Sequence, residues 1–120
     1  MKLFTQAQMD LLLKNGAQAN LEREGKAAAD LTRMPVVKLF TPWGSATWLI
    51  SEINPEDTDI AFGLADLGMG CPEMGSIYLP ELINLKGPLG LGVERDLYWS
   101  AEKSLVAYAD DARMNNAIYA

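Results

Sequence analysis

Histidine is absent from this 120-residue chain. That removes the commonest general base and the commonest zinc ligand. Without histidine no Ser-His or Cys-His nucleophile pair can be built, and with Cys71 the single cysteine a structural zinc site is close to excluded. One cysteine also forbids an internal disulfide, which fits a reducing compartment. No apolar run approaches the roughly 18 residues of a membrane span. Gln6, Gln8 and Asp10 come too early for the apolar region of a secretory leader. The cytoplasm is the expected location.

Cations are missing from one long stretch. Between Lys38 and Lys86 no Lys or Arg occurs, and the interval carries Glu52, Glu56, Asp57, Asp59, Asp66, Glu73 and Glu81. The whole chain has 16 acids against 10 cations, a net charge of −6. A modest negative charge aids solubility in most proteins; confined to one interval it predicts a local negative field. Direct nucleic-acid binding is not expected, because phosphate contacts need cationic side chains.

Residues 36–67 are what is there instead. Three strand-like runs, 36–40, 46–53 and 60–67, are separated by turns at Thr41, Pro42, Trp43, Gly44 and at Asn54, Pro55, Glu56, Asp57. That pattern predicts an antiparallel meander. Alternation places Trp48 and Ile50 on one face with Glu52, and Leu49, Ser51 and Ile53 on the other. Both faces are apolar enough to expect cover on both sides.

Helices are expected around the meander. Thr5 and Gln8 fit a capping box, with Phe4 and Met9 at the staple positions. Met9, Leu12, Leu13, Gly16 and Ala17 follow at helical spacing, and Gly16 or Gly25 stops the helix. Residues 25–34 form a connector. Ser76 to Leu79 read as a fourth strand, Pro80 starts a short helix that Gly87 and Pro88 end, and residues 93–99 read as a fifth strand. Ser100 is the expected N-cap of a closing helix striped by Leu105, Tyr108, Ala109 and Ala112. Residues 115–120 form a frayed tail. The result is one α+β domain over residues 1–120: an antiparallel sheet of about five strands with N-terminal, short internal and C-terminal helices.

Candidate sites divide two ways. Glu52, Asp66, Glu94 and Asp96 lie on expected strands, with Arg95 between two of them. Gathered round a pocket they suit acid–base work or a divalent cation such as Mg²⁺; as a solvated sheet edge they do nothing. Alternatively Glu52, Glu56, Asp57, Asp59, Asp66 and Glu73, with Trp43 in its turn, form a protein-contact surface. Acids 56–59 lack the glycine and terminal Glu of a calcium loop, and the glycines of 87–92 lack the Lys-Ser/Thr ending of a phosphate loop. No cofactor is called for, and no cation lies near Cys71 to activate it.

Three stretches carry a family likeness: Lys38, Leu39, Phe40, Thr41, Pro42 leading to Thr47, Trp48; then Phe62, Gly63, Leu64, Ala65, Asp66; then Gly87, Pro88, Leu89, Gly90, Leu91 running into Glu94, Arg95, Asp96, Leu97. Together they resemble the small "domain of unknown function" family numbered 2958. The resemblance implies a setting, an accessory gene of plasmids, integrative elements or phage, and transfers no catalytic residue. With the small size, the absence of histidine and the uncompensated acids from Glu52 to Glu81, that setting favours a non-enzymatic interaction protein that binds and inhibits a host defence or nucleic-acid-handling protein with a basic surface, in the manner of anti-CRISPR or anti-restriction factors. The alternative is a small enzyme or ligand-binding domain built on the carboxylate and Arg95 pocket.

Overall fold

The structure, a computed structural model, describes residues 3–120. Thr5 starts the first helix as its sequence predicts. Its Oγ1 accepts the Gln8 N–H at 3.1 Å, and the Gln8 side chain accepts the Thr5 N–H at 2.9 Å. Helix α1, Gln6–Arg23, runs straight through Gly16 and buries Leu12, Gly16 and Ala19. It stops at Gly25, where φ is +75°. There the Gly25 N–H donates to the Glu22 carbonyl and the Lys26 N–H to the Leu21 carbonyl, the paired bonds of a Schellman end.

Strands β1 (Val37–Phe40), β2 (Thr47–Ile53), β3 (Ile60–Asp66), β4 (Glu73–Tyr78) and β5 (Glu94–Arg95) form one antiparallel sheet in the order β4-β3-β2-β1-β5. Helix α2 (Leu79–Asn84) leaves the end of β4, and α3 (Leu105–Asn115) closes the fold. One apolar cluster lies under α1 and α2 and includes Val37, Leu39, Trp48, Ile50, Ile53 and Ala61. On the other side Leu49 and Leu64 pack with Leu105, Tyr108 and Ala112 of α3. Both faces are therefore covered. Leu12, Leu39, Leu49, Ile50, Ile53 and Leu64 lose essentially all their solvent contact, each a gain of about 1.5–3 kcal/mol.

The expected alternation of β2 fails at one residue. Ile50 pairs with Gly63 and Glu52 with Phe62, so Ser51 is an extra residue with no partner of its own. This is a β-bulge, and it inverts the faces beyond it. Ile53 joins Trp48 and Ile50 in the α1 cluster. Glu52 moves to the opposite face, where it pairs with Phe62. The bulge is held on every side. Asn15 of α1 donates to the Ser51 carbonyl at 3.0 Å, and Ser51 Oγ donates to the Phe62 carbonyl at 3.2 Å.

Other expectations change as well: β4 begins at Glu73, and Leu79 opens α2. The fifth strand is only Glu94–Arg95, because Asp96 turns the chain: its side chain accepts the Tyr98 N–H at 3.2 Å and its carbonyl accepts the Trp99 N–H. The N-cap of α3 is Ser104, whose Oγ accepts the Ala107 N–H at 3.1 Å, in place of Ser100.

Candidate functional site

The bulge delivers Glu52 to the most enclosed charge cluster of the fold. Glu52 is 3% exposed. One of its oxygens accepts from Arg23 at the end of α1, and the other from Arg33 of the connector at 3.3 Å. Arg33 also pairs with Glu22 of α1. The Arg33 carbonyl accepts the Leu105 N–H, the first of α3, at 2.9 Å. Arg23 in turn lies over the Phe62 ring, its guanidinium carbon 5.6 Å from the centroid. Four separate parts of the chain thus meet at Arg33 and Glu52.

The hydrogen bond from Arg33 holds the Glu22 carboxyl below its ordinary value of 4.5, against the opposing effect of burial. Asp30 is also lowered, by the bonds it accepts from the Thr32 side chain and backbone. A cleft of about 310 Å³ opens beside the cluster, with Phe62, Met74, Leu105 and Val106 among its apolar walls. Both Glu52 oxygens and both Glu22 oxygens have partners, the Asp30 N–H serving the second oxygen of Glu22. The arrangement fastens elements together and presents no uncommitted acid or base. Glu22 and Arg33 gave no signal in the sequence, since only the bulge brings Glu52 to them.

Asp66 is buried as well and serves the backbone. One oxygen accepts the Gly68 N–H at 2.8 Å and the other the Ile118 N–H at 3.0 Å. Glu52 and Asp66 share a face after the bulge. They stand opposite Phe62 and Thr47, four residues apart along β3, roughly 13 Å. Glu94 and Arg95 lie beyond β1 on the far edge of the sheet, where Arg95 donates to the Leu3 carbonyl at 3.0 Å and Asp96 sits 3.8 Å from Lys38. Two strands separate Glu94 from Asp66, so these five groups line no common pocket. Among the described residues no three Asp, Glu or Cys side chains converge as metal ligands.

Glu56, Asp57 and Asp59 stay exposed on the turn between β2 and β3. The turn is closed by its own side chains: Asn54 accepts the Glu56 N–H and Asp57 accepts the Asp59 N–H. Glu73 is exposed at the opposite end of the sheet, across from Ala65. Trp43 is half-buried, its indole lying flat on Gly87, where a Cβ would come within 2.1 Å of the ring.

The family model described as "Protein of unknown function (DUF2958)" matches residues 3–119. The chain belongs to this family. No curated protein and no solved structure matches it. The DUF2958 match takes in every element of the sheet, all three helices and the Glu22, Arg33, Glu52 cluster. Among the described residues no helix is long and apolar enough to cross a membrane.

Proposed function

We propose that the protein acts without catalysis, as the product of a mobile element that binds and inhibits a host defence or nucleic-acid-handling protein through that protein's basic surface. The observation that carries this reading is the turn between β2 and β3. Glu56, Asp57 and Asp59 project from it, and none of them forms an ion pair among the described residues. The Asp59 carbonyl accepts the Leu79 N–H at 2.8 Å, so the exposed Glu81, two residues on, stands at the same end. Beside the acids runs a groove of about 480 Å³ lined by Leu3, Phe4, Met9, Leu79 and Ile83. Asp59 borders that groove, and a carboxylate beside an apolar groove suits Lys and Arg, which lay an aliphatic stem on apolar surface and keep the charge outside.

Glu52 and Asp66 drop out of the contact set, because both are buried and engaged. Glu73 and Trp43 belong to the other end. Direct nucleic-acid binding is disfavoured on the same grounds of charge. Arg23, Lys26, Arg33, Lys38, Lys103 and Arg113 are already committed to carboxylates.

The test is a pull-down from host lysate in rising salt, repeated with the triple substitution E56Q, D57N, D59N. The basic partner should bind the variant at least about tenfold more weakly, with a flatter salt dependence. Unchanged affinity and unchanged salt dependence would overturn the reading.

A further inference from the structure

We propose that the outer edge of β4 pairs with the same edge of a second copy, about a two-fold axis at Ser76, so that two five-stranded sheets become one continuous sheet. β4 is the last strand on its side of the sheet. Its hydrogen-bond phase is fixed by its neighbour. The Leu79 N–H donates to the Asp59 carbonyl at 2.8 Å, and from there the register runs Ile77 to Ala61, Gly75 to Gly63 and Glu73 to Ala65. Bonded residues alternate along an antiparallel ladder. Glu73, Gly75 and Ile77 therefore use their backbone groups on β3, and Met74, Ser76 and Tyr78 turn theirs outward. Nothing among the described residues bonds to those outward groups.

The edge is also unguarded. Monomeric sheet proteins blunt a long edge with Lys, Pro, a bulge or a covering element. Residues 73–78 hold no Lys and no Pro, and they pair with β3 without a bulge. Ser76 is exposed and Tyr78 is 47% exposed. The opposite edge, β5, is protected by being only two residues long.

The occupant follows from the edge itself, which is complementary to its own copy in one register. With Ser76 on the axis, Met74 faces Tyr78 of the second copy, Ser76 faces Ser76, and Tyr78 faces Met74. Three facing pairs with two bonds each make six hydrogen bonds. Moving the axis by one residue sets Tyr78 against Pro72 or Met74 against Pro80, and neither proline has an N–H to give. In the Ser76 register no acid meets its own copy, because Glu73 stands opposite Leu79.

The side chains agree with the backbone. Met74 packs on the α3 side of the sheet, and Ser76 and Tyr78 project to that same side. Met74 also lines the cleft of about 310 Å³ together with Phe62 and Val106. The exposed Tyr78 of the second copy arrives beside Met74, at the mouth of this cleft. A thioether beside an aromatic ring and two facing hydroxyls are favourable cross-strand pairs.

The experiment is sedimentation velocity of the purified full chain at roughly 100 µM. The expected species has twice the 13.1 kDa of one chain. Ser76→Pro removes an outward N–H at an edge position where proline is tolerated, and it should associate at least about tenfold more weakly. Ser76→Lys and Ser76→Glu each set like charges face to face across the axis. Each alone should be monomeric, and an equimolar mixture should recover the dimer as a heterodimer. The proposal falls if the wild-type chain is monomeric at this concentration, which would leave the edge to a strand of another protein. It falls equally if S76P keeps the wild-type circular dichroism and dimerises like wild type, if S76K alone does so, or if the two charged variants fail to associate on mixing. All three variants leave Glu56, Asp57 and Asp59 intact, so failure here is distinguishable from failure of the acidic-turn reading.

Discussion

A single methyl group on Gly16 would stand 1.8 Å from the Ile53 carbonyl oxygen. Within the sequence Gly16 reads as a helix stop or a weak point; in the fold it lets α1 sit directly on the end of β2. Gly63 plays the same part across the bulge, with 2.0 Å to the Leu49 carbonyl oxygen. Backbone oxygens cannot retreat as side chains can. Gly16→Ala should therefore cost roughly 3 kcal/mol in urea unfolding, although alanine is the better helix former. Glu22 makes the second residue-scale prediction. Its folded pKa lies below 4.5, so in acid the unfolded chain binds more protons than the folded one. The stability that the Arg33 bond contributes is present above that value and is lost as pH falls through the lower, folded pKa. Melting temperatures from pH 7 down to pH 3 should drop, and Arg33→Met should flatten the part of the drop that belongs to Glu22.

Whole elements were legible to different depths. α1 was readable because its capping box and its Gly25 end are local chemistry, and both bonds of the box are present. Local chemistry does not fix the cap of α3, because Ser100 and Ser104 are equally good caps in isolation. The bond between the Leu105 N–H and the Arg33 carbonyl, a tertiary contact, fixes the start at Ser104. Ser104→Ala should cost about 1 kcal/mol and Ser100→Ala almost nothing, as measured by chemical denaturation. β2 shows the sharper limit. Period-two alternation assumes an uninterrupted ladder, and the extra Ser51 is invisible until Asn15 and Phe62 are placed against it. The shortened β5 followed from an aspartate turn inside a run that otherwise alternates.

Across the whole molecule, Glu52 is the point at which α1, the connector and the sheet are joined, with α3 attached through Arg33. Glu52→Ala leaves Arg33 with Glu22 alone in a mostly buried site. A loss of about 3 kcal/mol is expected, read by thermal or urea unfolding. The same fold separates the acids that the sequence presents as one series. Two are internal, Glu73 is at one end, and Glu56, Asp57, Asp59 and Glu81 are at the other.

Composition, periodicity and local capping signals are properties of neighbouring residues. They were enough for the α+β class, the meander, the three helices and the family resemblance. Which acids face solvent is not a local property. It depends on one unpaired residue in β2, on the strand order, and on which backbone and guanidinium groups the folded chain brings to each carboxylate, and those were decided only when distant segments packed together.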